Sequence, residues 1–519
     1  MHRAIKLIFL FFISTLIILI IGIFIAQNSL KNKIETALRE RLPDYVSLNY
    51  SDLDLSLFRN YVEMHNVEIL RVGKVTSETS FSVSFKKLGV YKINYWDYLF
   101  NDCIDVNNVK IVEPIGTYYH NEIVPKKEYN LPKTIEVKKI INVRNFVISN
   151  GTFQAYDTQT DSLLLDLKNS QFTLRNIHFD KETFIKKVPF EYEDYSFQFE
   201  ELFYRLNDFE NLTTKNSEFK NETSVIRDFR LKTKYSKEKL SSIIINERDH
   251  YDIEADSVWL KDFNLERLID SISLVASTKT TVYNSTINVY RDKLVNDDLR
   301  IKPLYSKMLR DLNFYLKLDT ISINNANIQY EEKVRVDNVA GIITFSDFNA
   351  TVQNFSNTYK SPVQTIIEID ANFMNHAPLQ ATWQFDVNNQ SDLFLFQAEA
   401  SNLQADNLND FTVPNFNKRL EGELDKTYLT ISGNSQESKI DFKVKYKHFD
   451  VVALKKNGKD KNKILSKVFN LFVSKNSKNG NSSFKEVTKS NIERDKTKSV
   501  FNYIWISTRA GLIKALTIE

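Results

Sequence analysis

The sequence has little cysteine and little glycine, and each shortage excludes a class of protein. Cys103 is the only cysteine, so no disulfide can form within the chain and its stability must come from sheets and an apolar core. The 11 glycines form no GxGxxG, GxxxxGK[ST] or GxSxG motif. The chain therefore lacks the usual backbone motifs of nucleotide-binding proteins and serine hydrolases.

Clusters of catalytic or metal-binding side chains are also missing from the sequence. The seven histidines are widely separated, and no HExxH motif or pair of cysteines at metal-ligand spacing occurs. Close carboxylates such as Asp161 and Asp166 do not differ in sequence from solvated pairs. We therefore predict a protein that is not an enzyme, with no catalytic residues, cofactor or metal. A net charge of +3 gives no reason to expect a nucleic-acid partner.

The first feature that is present is an uncharged apolar run at residues 7–26, LIFLFFISTLIILIIGIFIA. A helix of about 20 such residues spans a bilayer. A cleaved signal peptide is the alternative, but its apolar part usually has about 7 to 15 residues, and its cleavage site needs a small residue where Phe24 stands. An uncleaved transmembrane anchor is favoured, and it includes Leu7, Phe11, Leu16, Ile20 and Phe24.

The residues on either side of this run predict its orientation and the start of the exported part. Residues 1–6 contain Arg3 and Lys6 and no acidic residue, so they are predicted to stay in the cytoplasm while the rest of the chain is exported. After the run, apolar residues at helical spacing continue up to Pro43. We predict a short stalk helix within residues 27–43.

Most of the remaining chain shows the period-two alternation of β-strands. The clearest examples are residues 377–387, APLQATWQFDV, and residues 440–447, IDFKVKYK. Strands with one dry and one wet face are typical of antiparallel sheets. The dry faces of these two strands include Leu379, Trp383, Phe385, Val387, Phe442, Val444 and Tyr446.

Three places resemble tight turns at which a strand doubles back. They are Asn150-Gly151, Asn325-Ala326 and Glu113-Pro114, and each is followed by apolar residues at strand spacing. Asn-Gly is a strong signal for a two-residue hairpin. Helical spacing also occurs at residues 260–270 and 302–312, and residues 205–240 are polar enough to form a loop or insertion.

These patterns divide the chain into successive segments. The predicted segments are a cytoplasmic N-terminus (1–6), the anchor (7–26), the stalk helix (27–43), an N-terminal β segment (44–204), an insertion with strands and short helices (205–312), a C-terminal β segment (313–454), a Lys-rich loop or helix (455–498) and a C-terminal amphipathic helix (499–519).

The predicted C-terminal helix carries apolar residues along one side, with Arg509 and Lys514 nearby. Two interpretations are open: a helix that lies on a membrane surface or docks on a partner, and a cap over the last strands, which is favoured. The apolar side comprises Phe501, Ile504, Trp505, Leu512 and Leu516.

Three stretches resemble the AsmA-like family, which includes TamB and other bridge-like lipid-transfer proteins of diderm bacteria. They are ALRERLPDYVSLNYSDLDLSLFRNYVEMHNVEIL (37–70), KLGVYKINYWDYLFNDCIDVNNVKIVEP (87–114) and LEGELDKTYLTISGNSQESKIDFKVKYKHFDVVALKK (420–456). The first resembles the family's opening of a helix, a strand, a turn that contains Phe, and a second strand. The second is similar to the family's segment in which a strand leads to a short turn of helix and then to another strand. The third is similar to its C-terminal segment, and together they cover about a third of the chain.

The resemblance implies a mainly β fold: a transmembrane helix followed by an elongated, curled antiparallel sheet whose apolar groove holds acyl chains. The protein would be anchored in the inner membrane with its bulk in the periplasm, and it would carry phospholipid for outer-membrane assembly or homeostasis. An outer-membrane or other envelope protein is a candidate partner. The seven dry-face residues above become candidates for lining the groove.

One rival interpretation is open as well. The same residues could fill the core of closed β domains in a structural or scaffold protein that binds other envelope proteins. An open apolar groove favours lipid transport, and closed domains with a filled core favour the scaffold.

Overall fold

Long strands form wherever apolar and polar residues alternate, so the protein is mainly β with a few short helices. The computed structural model describes residues 27–36, 38, 42, 44–73, 78–120, 139–184, 190–268, 271–455, 461–462, 466, 475–477 and 483–517. The chain divides into two compact units. Unit 1 comprises residues 1–205 and 214–221, and unit 2 comprises residues 206–213 and 222–519.

The described residues of unit 1 form a sheet and three short helices. Strands β1 and β2 both pair with β3, β3 pairs with β4, and β4 pairs with β5 and β6. Strands β7, β8 and β9 then follow as antiparallel neighbours. The elements are β1 (Val46–Asn49), β2 (Asp52–Ser56), β3 (Tyr61–Val72), β4 (Thr79–Ile93), β5 (Cys103–Val112), β6 (Ile115–His120), β7 (Ile140–Asp157), β8 (Ser162–Phe179), β9 (Asp194–Arg205), α1 (27–36), α2 (Tyr95–Phe100) and α3 (Lys181–Phe184).

Unit 2 is a longer sheet with helices on it. Strands β11, β12 and β14 are neighbours, β13 pairs with β14, and β15 to β22 are successive antiparallel neighbours. Strand β10 (Glu210–Lys220) contributes residues to both units. The elements are β11 (Thr223–Thr233), β12 (Asp249–Lys261), β13 (Asn264–Leu268), β14 (Ser271–Asp292), β15 (Tyr315–Lys333), β16 (Gly341–Ser356), β17 (Gln364–Phe373), β18 (Ala377–Asp386), β19 (Phe394–Gln404), β20 (Lys418–Gly433), β21 (Glu437–Ala453), β22 (Lys485–Glu493), α4 (Lys237–Ile243), α5 (Tyr305–Arg310), a 3₁₀ turn (Ala405–Leu408), α6 (Asn409–Phe416) and α7 (Val500–Leu516).

The sheets are mixed, which corrects the expectation of a purely antiparallel arrangement. Strands β5 and β6 both run parallel to β7, and β14 runs parallel to β15. Parallel neighbours need a long connection that crosses back to the same end of the sheet. Residues 293–314, which include α5, form that connection between β14 and β15. Period-two alternation cannot distinguish such pairs when only one face is apolar.

The three predicted hairpin turns are wrong, because each is a bend between segments that continue in the same direction. Strand β7 runs through Asn150-Gly151 and β15 runs through Asn325, with φ of 54° at Asn150 and 57° at Asn325 and a register shift at each. Glu113-Pro114 separates β5 from β6, yet both pair with β7 on either side of Asn150-Gly151. These three places are therefore β-bulges or bends, and the bend at Glu113-Pro114 lies beside the bend at Asn150-Gly151 in the neighbouring strand.

Side chains tie several of these bends together across unit 2. The Asn284 Nδ2 donates to Asp256 Oδ2 at 2.9 Å, and the Asn325 Nδ2 donates to Asn284 Oδ1 at 2.9 Å. The Asn325 backbone N–H donates to Asn349 Oδ1 at 3.0 Å. These bonds link β12, β14, β15 and β16, so the bends form a continuous polar row.

Other sequence expectations have mixed outcomes. Residues 260–268 are the end of β12 and strand β13, so the predicted helix there is wrong, whereas α5 confirms a helix within residues 302–312. Residues 205–240, predicted to be a polar loop or insertion, contain β10 and β11. No helix within the described ranges is long and apolar enough to cross a membrane. The predicted anchor at residues 7–26 lies outside those ranges.

Asn325→Val is expected to destabilise unit 2, because a β-branched residue is strained at positive φ. The left-handed backbone costs an ordinary residue about 1–2 kcal/mol, while glycine adopts it freely. Asn325→Gly should therefore be much less harmful, since it loses only the side-chain bond. Urea unfolding of the two variants measures the difference, and equal midpoints would contradict the need for a bend.

Candidate functional site

The residues predicted to line a lipid groove lie in a closed core of unit 2. Trp383 is 6% exposed, and Phe385 and Val444 are also fully buried. Trp383 stands in one row with Ile367 and Phe396 of the neighbouring strands, so the alternation does place these side chains on one face. Val387, Phe442 and Tyr446 are buried in the same cluster, and Leu379 is half-buried.

Helix α7 covers part of this core by packing on β20, β21 and β22. The structure confirms the predicted helix but corrects its buried side. Phe501 is 68% exposed and Trp505 is 39% exposed, so both large rings lie on the outer side. Ile504 and Leu512 are half-buried against the core, and Leu516 is buried. The fully buried positions are Val500, Tyr503, Ser507, Gly511, Ala515 and Leu516.

Small residues explain which side of α7 faces the sheet. The Ser507 and Ser438 hydroxyl oxygens are 2.8 Å apart, so the helix lies close to β21. A Cβ atom added at Gly511 would lie 2.9 Å from the Phe442 Cβ, which is too close. Large side chains in place of Ser507 and Gly511 would hold the helix away from the sheet, so hydrophobicity alone points to the wrong side.

Gly511→Leu is expected to lower stability by displacing α7. Overpacking a close contact costs about 1–3 kcal/mol, which exceeds the gain of about 1 kcal/mol in helix propensity. Arg509→Leu places the same side chain at an exposed position of the same helix and is the matched control. Urea unfolding should show a lower midpoint only for Gly511→Leu, and equal midpoints would contradict the close packing of α7.

The opposite face of the same strands is an open depression with a polar lining. Glu368, Thr382, Gln397 and Thr430 stand directly opposite one another across β17 to β20. Asp370, Gln380 and Glu399 form the adjacent row. In this part of unit 2, therefore, the open face is hydrophilic and the apolar face is covered.

An apolar surface of a different kind occurs in unit 1, where a row of phenylalanine rings crosses β7 to β10. The Phe146 and Phe172 ring centroids are 6.5 Å apart, those of Phe172 and Phe197 are 6.1 Å apart, and those of Phe197 and Phe219 are 6.2 Å apart. Strand register explains the row, because Phe172 is paired directly with Phe197. We call these four residues the phenylalanine ladder.

Each ring of the phenylalanine ladder is half-buried, in contrast to the closed core around Trp383. Its neighbours include Phe199, which is 5% exposed and 5.5 Å from Phe197, and Leu174, which is 6% exposed. A row of partly exposed rings is an unusually apolar surface to leave accessible. An apolar molecule can bind to this surface without a covalent bond or a metal ion.

The sequence contains a signal for the ladder, but the bends obscure it. Left-handed residues at Asn150, Asn169 and Asn176 shift the alternation within β7 and β8. Apolar residues on either side of a bend therefore lie on the same face of the sheet, although their spacing in the sequence does not follow the period of two. The aromatic repeat F-x-F at residues 197–199 is visible in the sequence, but its partners lie on other strands.

The first strands of unit 2 carry partly buried ion pairs. Arg291 Nη2 is 2.6 Å from Asp249 Oδ2, and Arg248 Nη2 is 2.6 Å from Glu210 Oε1. Tyr251 donates a hydrogen bond to Asp249 at 3.2 Å. Burial, followed by the charge of Asp249, raises the pKa of Tyr251 to about 12. Paired charges therefore contribute to the packing of this part of the sheet.

Tyr251→Phe is expected to reduce the loss of stability at alkaline pH. The unfolded phenol ionises near pH 10, whereas the folded phenol stays neutral up to about pH 12, so its contribution is lost as pH rises through this interval. Urea unfolding at pH 9 and pH 11 measures the effect. Tyr315→Phe removes a largely exposed hydroxyl as a control, and identical pH dependence in both variants would contradict the assignment to Tyr251.

One array in unit 1 combines the residue types of a cysteine hydrolase. Asn142 lies between the Cys103 Sγ, 3.4 Å from its Nδ2, and the His178 Nδ1, 2.8 Å from its Oδ1. Burial raises the pKa of the Cys103 thiol, with a further contribution from the charge of Asp97. The thiol is therefore held in its unreactive protonated form.

Among the residues that the structure describes, no group of His, Cys, Asp or Glu is arranged to hold a metal ion.

Comparison with known proteins identifies no relative. No family model matches the sequence, and no curated protein matches it significantly.

Proposed function

We propose that the protein carries or guides phospholipids along an apolar β-sheet surface in the bacterial envelope, in support of outer-membrane assembly or homeostasis. The observation that carries this proposal is the phenylalanine ladder, a partly exposed apolar row that crosses four strands of unit 1. In the proposal the protein acts without catalysis.

The physical basis is the cost of exposing acyl chains to water, about 0.8 kcal/mol for each methylene. An acyl chain that lies across the phenylalanine ladder displaces water from its own surface and from the surface of the rings. This binding needs no chemical step. Because the ladder runs perpendicular to the strands, each further strand lengthens the surface by about 4.7–4.9 Å. The charged head group can remain in water beside it.

The resemblance to the AsmA-like family supplies the remaining parts of the proposal. In these parts of the proposal, residues 7–26 anchor the protein in the inner membrane and most of the chain lies in the periplasm. The sheet is curled into an elongated groove. The long strands of both units and their repeated bends support such a curl, because bulges increase the local bend and twist of a strand. In this proposal the lipid contacts one surface of unit 1, the phenylalanine ladder, and that contact can be tested.

The scaffold interpretation is the second candidate, and the closed core of unit 2 favours it. The predicted groove residues Trp383, Phe385 and Phe442 are buried beneath α7 and neighbouring elements, as in an ordinary β domain. In the scaffold interpretation the exposed faces of unit 2 bind envelope proteins and unit 1 carries no lipid.

Phe172→Glu/Phe197→Lys is expected to abolish co-purification of phospholipid with the full-length protein. These two residues are direct cross-strand partners, so the new charges can pair and the sheet can be retained. Lipid is measured by mass spectrometry relative to protein, and circular dichroism confirms that the variant is folded. Wild-type protein should carry stoichiometric phospholipid.

The matched control is Gln171→Glu/Gln198→Lys. This pair is adjacent to the first and also directly cross-strand, but it lies on the opposite face. It should keep its lipid. Equal lipid on all three proteins would contradict the ladder as the binding surface, and no lipid on any of them would favour the scaffold.

A further inference from the structure

Large aromatic side chains are strongly exposed at one end of unit 1. Phe58 is 88% exposed, Trp96 is 73% exposed and Phe100 is 70% exposed. The Trp96 and Phe100 rings stack on the outside of α2 with centroids 5.4 Å apart. Side chains of this size rarely face water in a group, so the surface that they form calls for a partner. We call Phe58, Trp96 and Phe100 the aromatic tip.

Hydrogen bonds fix the parts of the aromatic tip beside one another. The turn that carries Phe58 joins β2 to β3, and its Asn60 side chain bonds to the backbone of Ile93, accepting at 2.7 Å and donating at 2.9 Å. Strand β4 ends at Ile93, and α2 starts two residues later at Tyr95. The Asn94 side chain caps α2 by accepting from the backbone N–H of Trp96. The exposed rings are therefore held in place and not on a loose tail.

Helix α1 points its N-terminus toward this same end. Lys31 Nζ lies 3.5 Å from Asp52 Oδ1, and Asp52 is paired with His65 in the half of β3 nearer Tyr61. After α1 the chain reaches Val46, which pairs with Arg71 at the far end of β3. Going back from Lys31 to residue 27 thus leads toward the Tyr61 end, where the aromatic tip lies.

We propose that the aromatic tip rests in the interfacial layer of the phospholipid bilayer in which residues 7–26 are anchored. This inference rests on the anchor included in the proposed function, because α1 begins at residue 27, directly after the anchor in the sequence, and has its N-terminus toward the tip. Tryptophan concentrates at the level of lipid head groups, and phenylalanine on a surface helix enters the boundary between head groups and acyl chains. The exposed basic residues Arg59 and Lys92 flank the tip and complement lipid phosphates.

The occupant is a lipid surface and not a soluble protein, since α1, which directly follows the predicted anchor in the sequence, begins toward the end of unit 1 that carries the tip. The contact would hold unit 1 upright on the membrane with its strands directed away from it. It would also place the first strands of the sheet within reach of lipids in the outer part of the bilayer.

Spin labels in the full-length protein, reconstituted in phospholipid nanodiscs, test the proposal. Single cysteines at Phe58→Cys and Trp96→Cys, each in a Cys103→Ser background, report collision with oxygen, which enters lipid, and with a water-soluble nickel complex. Val339→Cys is the matched control, because Val339 is 77% exposed in unit 2. Leu16→Cys reports the anchor.

Labels at residues 58 and 96 should collide more with oxygen and less with the nickel complex than the label at residue 339. The label at residue 16 should show the highest ratio of oxygen to nickel collision, as expected for the greatest depth in the bilayer. Nickel contact at residues 58 and 96 equal to that at residue 339 would overturn the proposal. Restricted label motion without oxygen enrichment would also overturn it and would indicate a protein partner. Lipid co-purification, measured on the same proteins, reports separately on the phenylalanine ladder.

Discussion

Long strands that must bend in a glycine-poor chain are the constraint on which the rest of the structure depends. Strand β14 spans Ser271–Asp292, and several others are nearly as long. Among the described residues, 23 non-glycine residues have positive φ, and all but Lys92, Glu113, Met374 and His448 are Asn or Asp. Short polar side chains that bond locally make this backbone tolerable. Asparagine therefore supplies the flexibility that glycine supplies elsewhere.

The bends decide which apolar residues come together. In unit 1 they bring phenylalanines from separate strands into one half-buried row, while a small core of Leu53, Met64, Val67 and Phe85 is packed near α1. In unit 2 the apolar face around Trp383 is covered by helices and becomes a filled core. The same alternation of residues thus gives a partly open surface in one unit and a closed one in the other. The difference lies in the elements that pack on the sheet, and not in the strands.

Local periodicity predicts the elements whose pattern is contained in one segment, namely strands β18 and β21 and helices α5 and α7. It does not predict features that depend on contacts between distant segments. Examples are the bend at Asn150, which resembles a hairpin in the sequence, and Phe501, whose ring faces outward because Gly511 and Ser507 permit closer packing. The parallel pairs and the cross-strand phenylalanine ladder depend on register, which one sequence does not reveal. A groove and a closed core use the same alternation, so the sequence could not distinguish them.

The proposed lipid surface is tested most directly by finding where an acyl chain contacts the protein. A photoreactive phenylalanine analogue placed at residue 172 of the ladder or at residue 385 of the closed core, followed by irradiation and mass spectrometry, locates that contact. The account predicts a lipid adduct at residue 172 and none at residue 385. An adduct at residue 385 with none at residue 172 would contradict it and return the lipid site to unit 2.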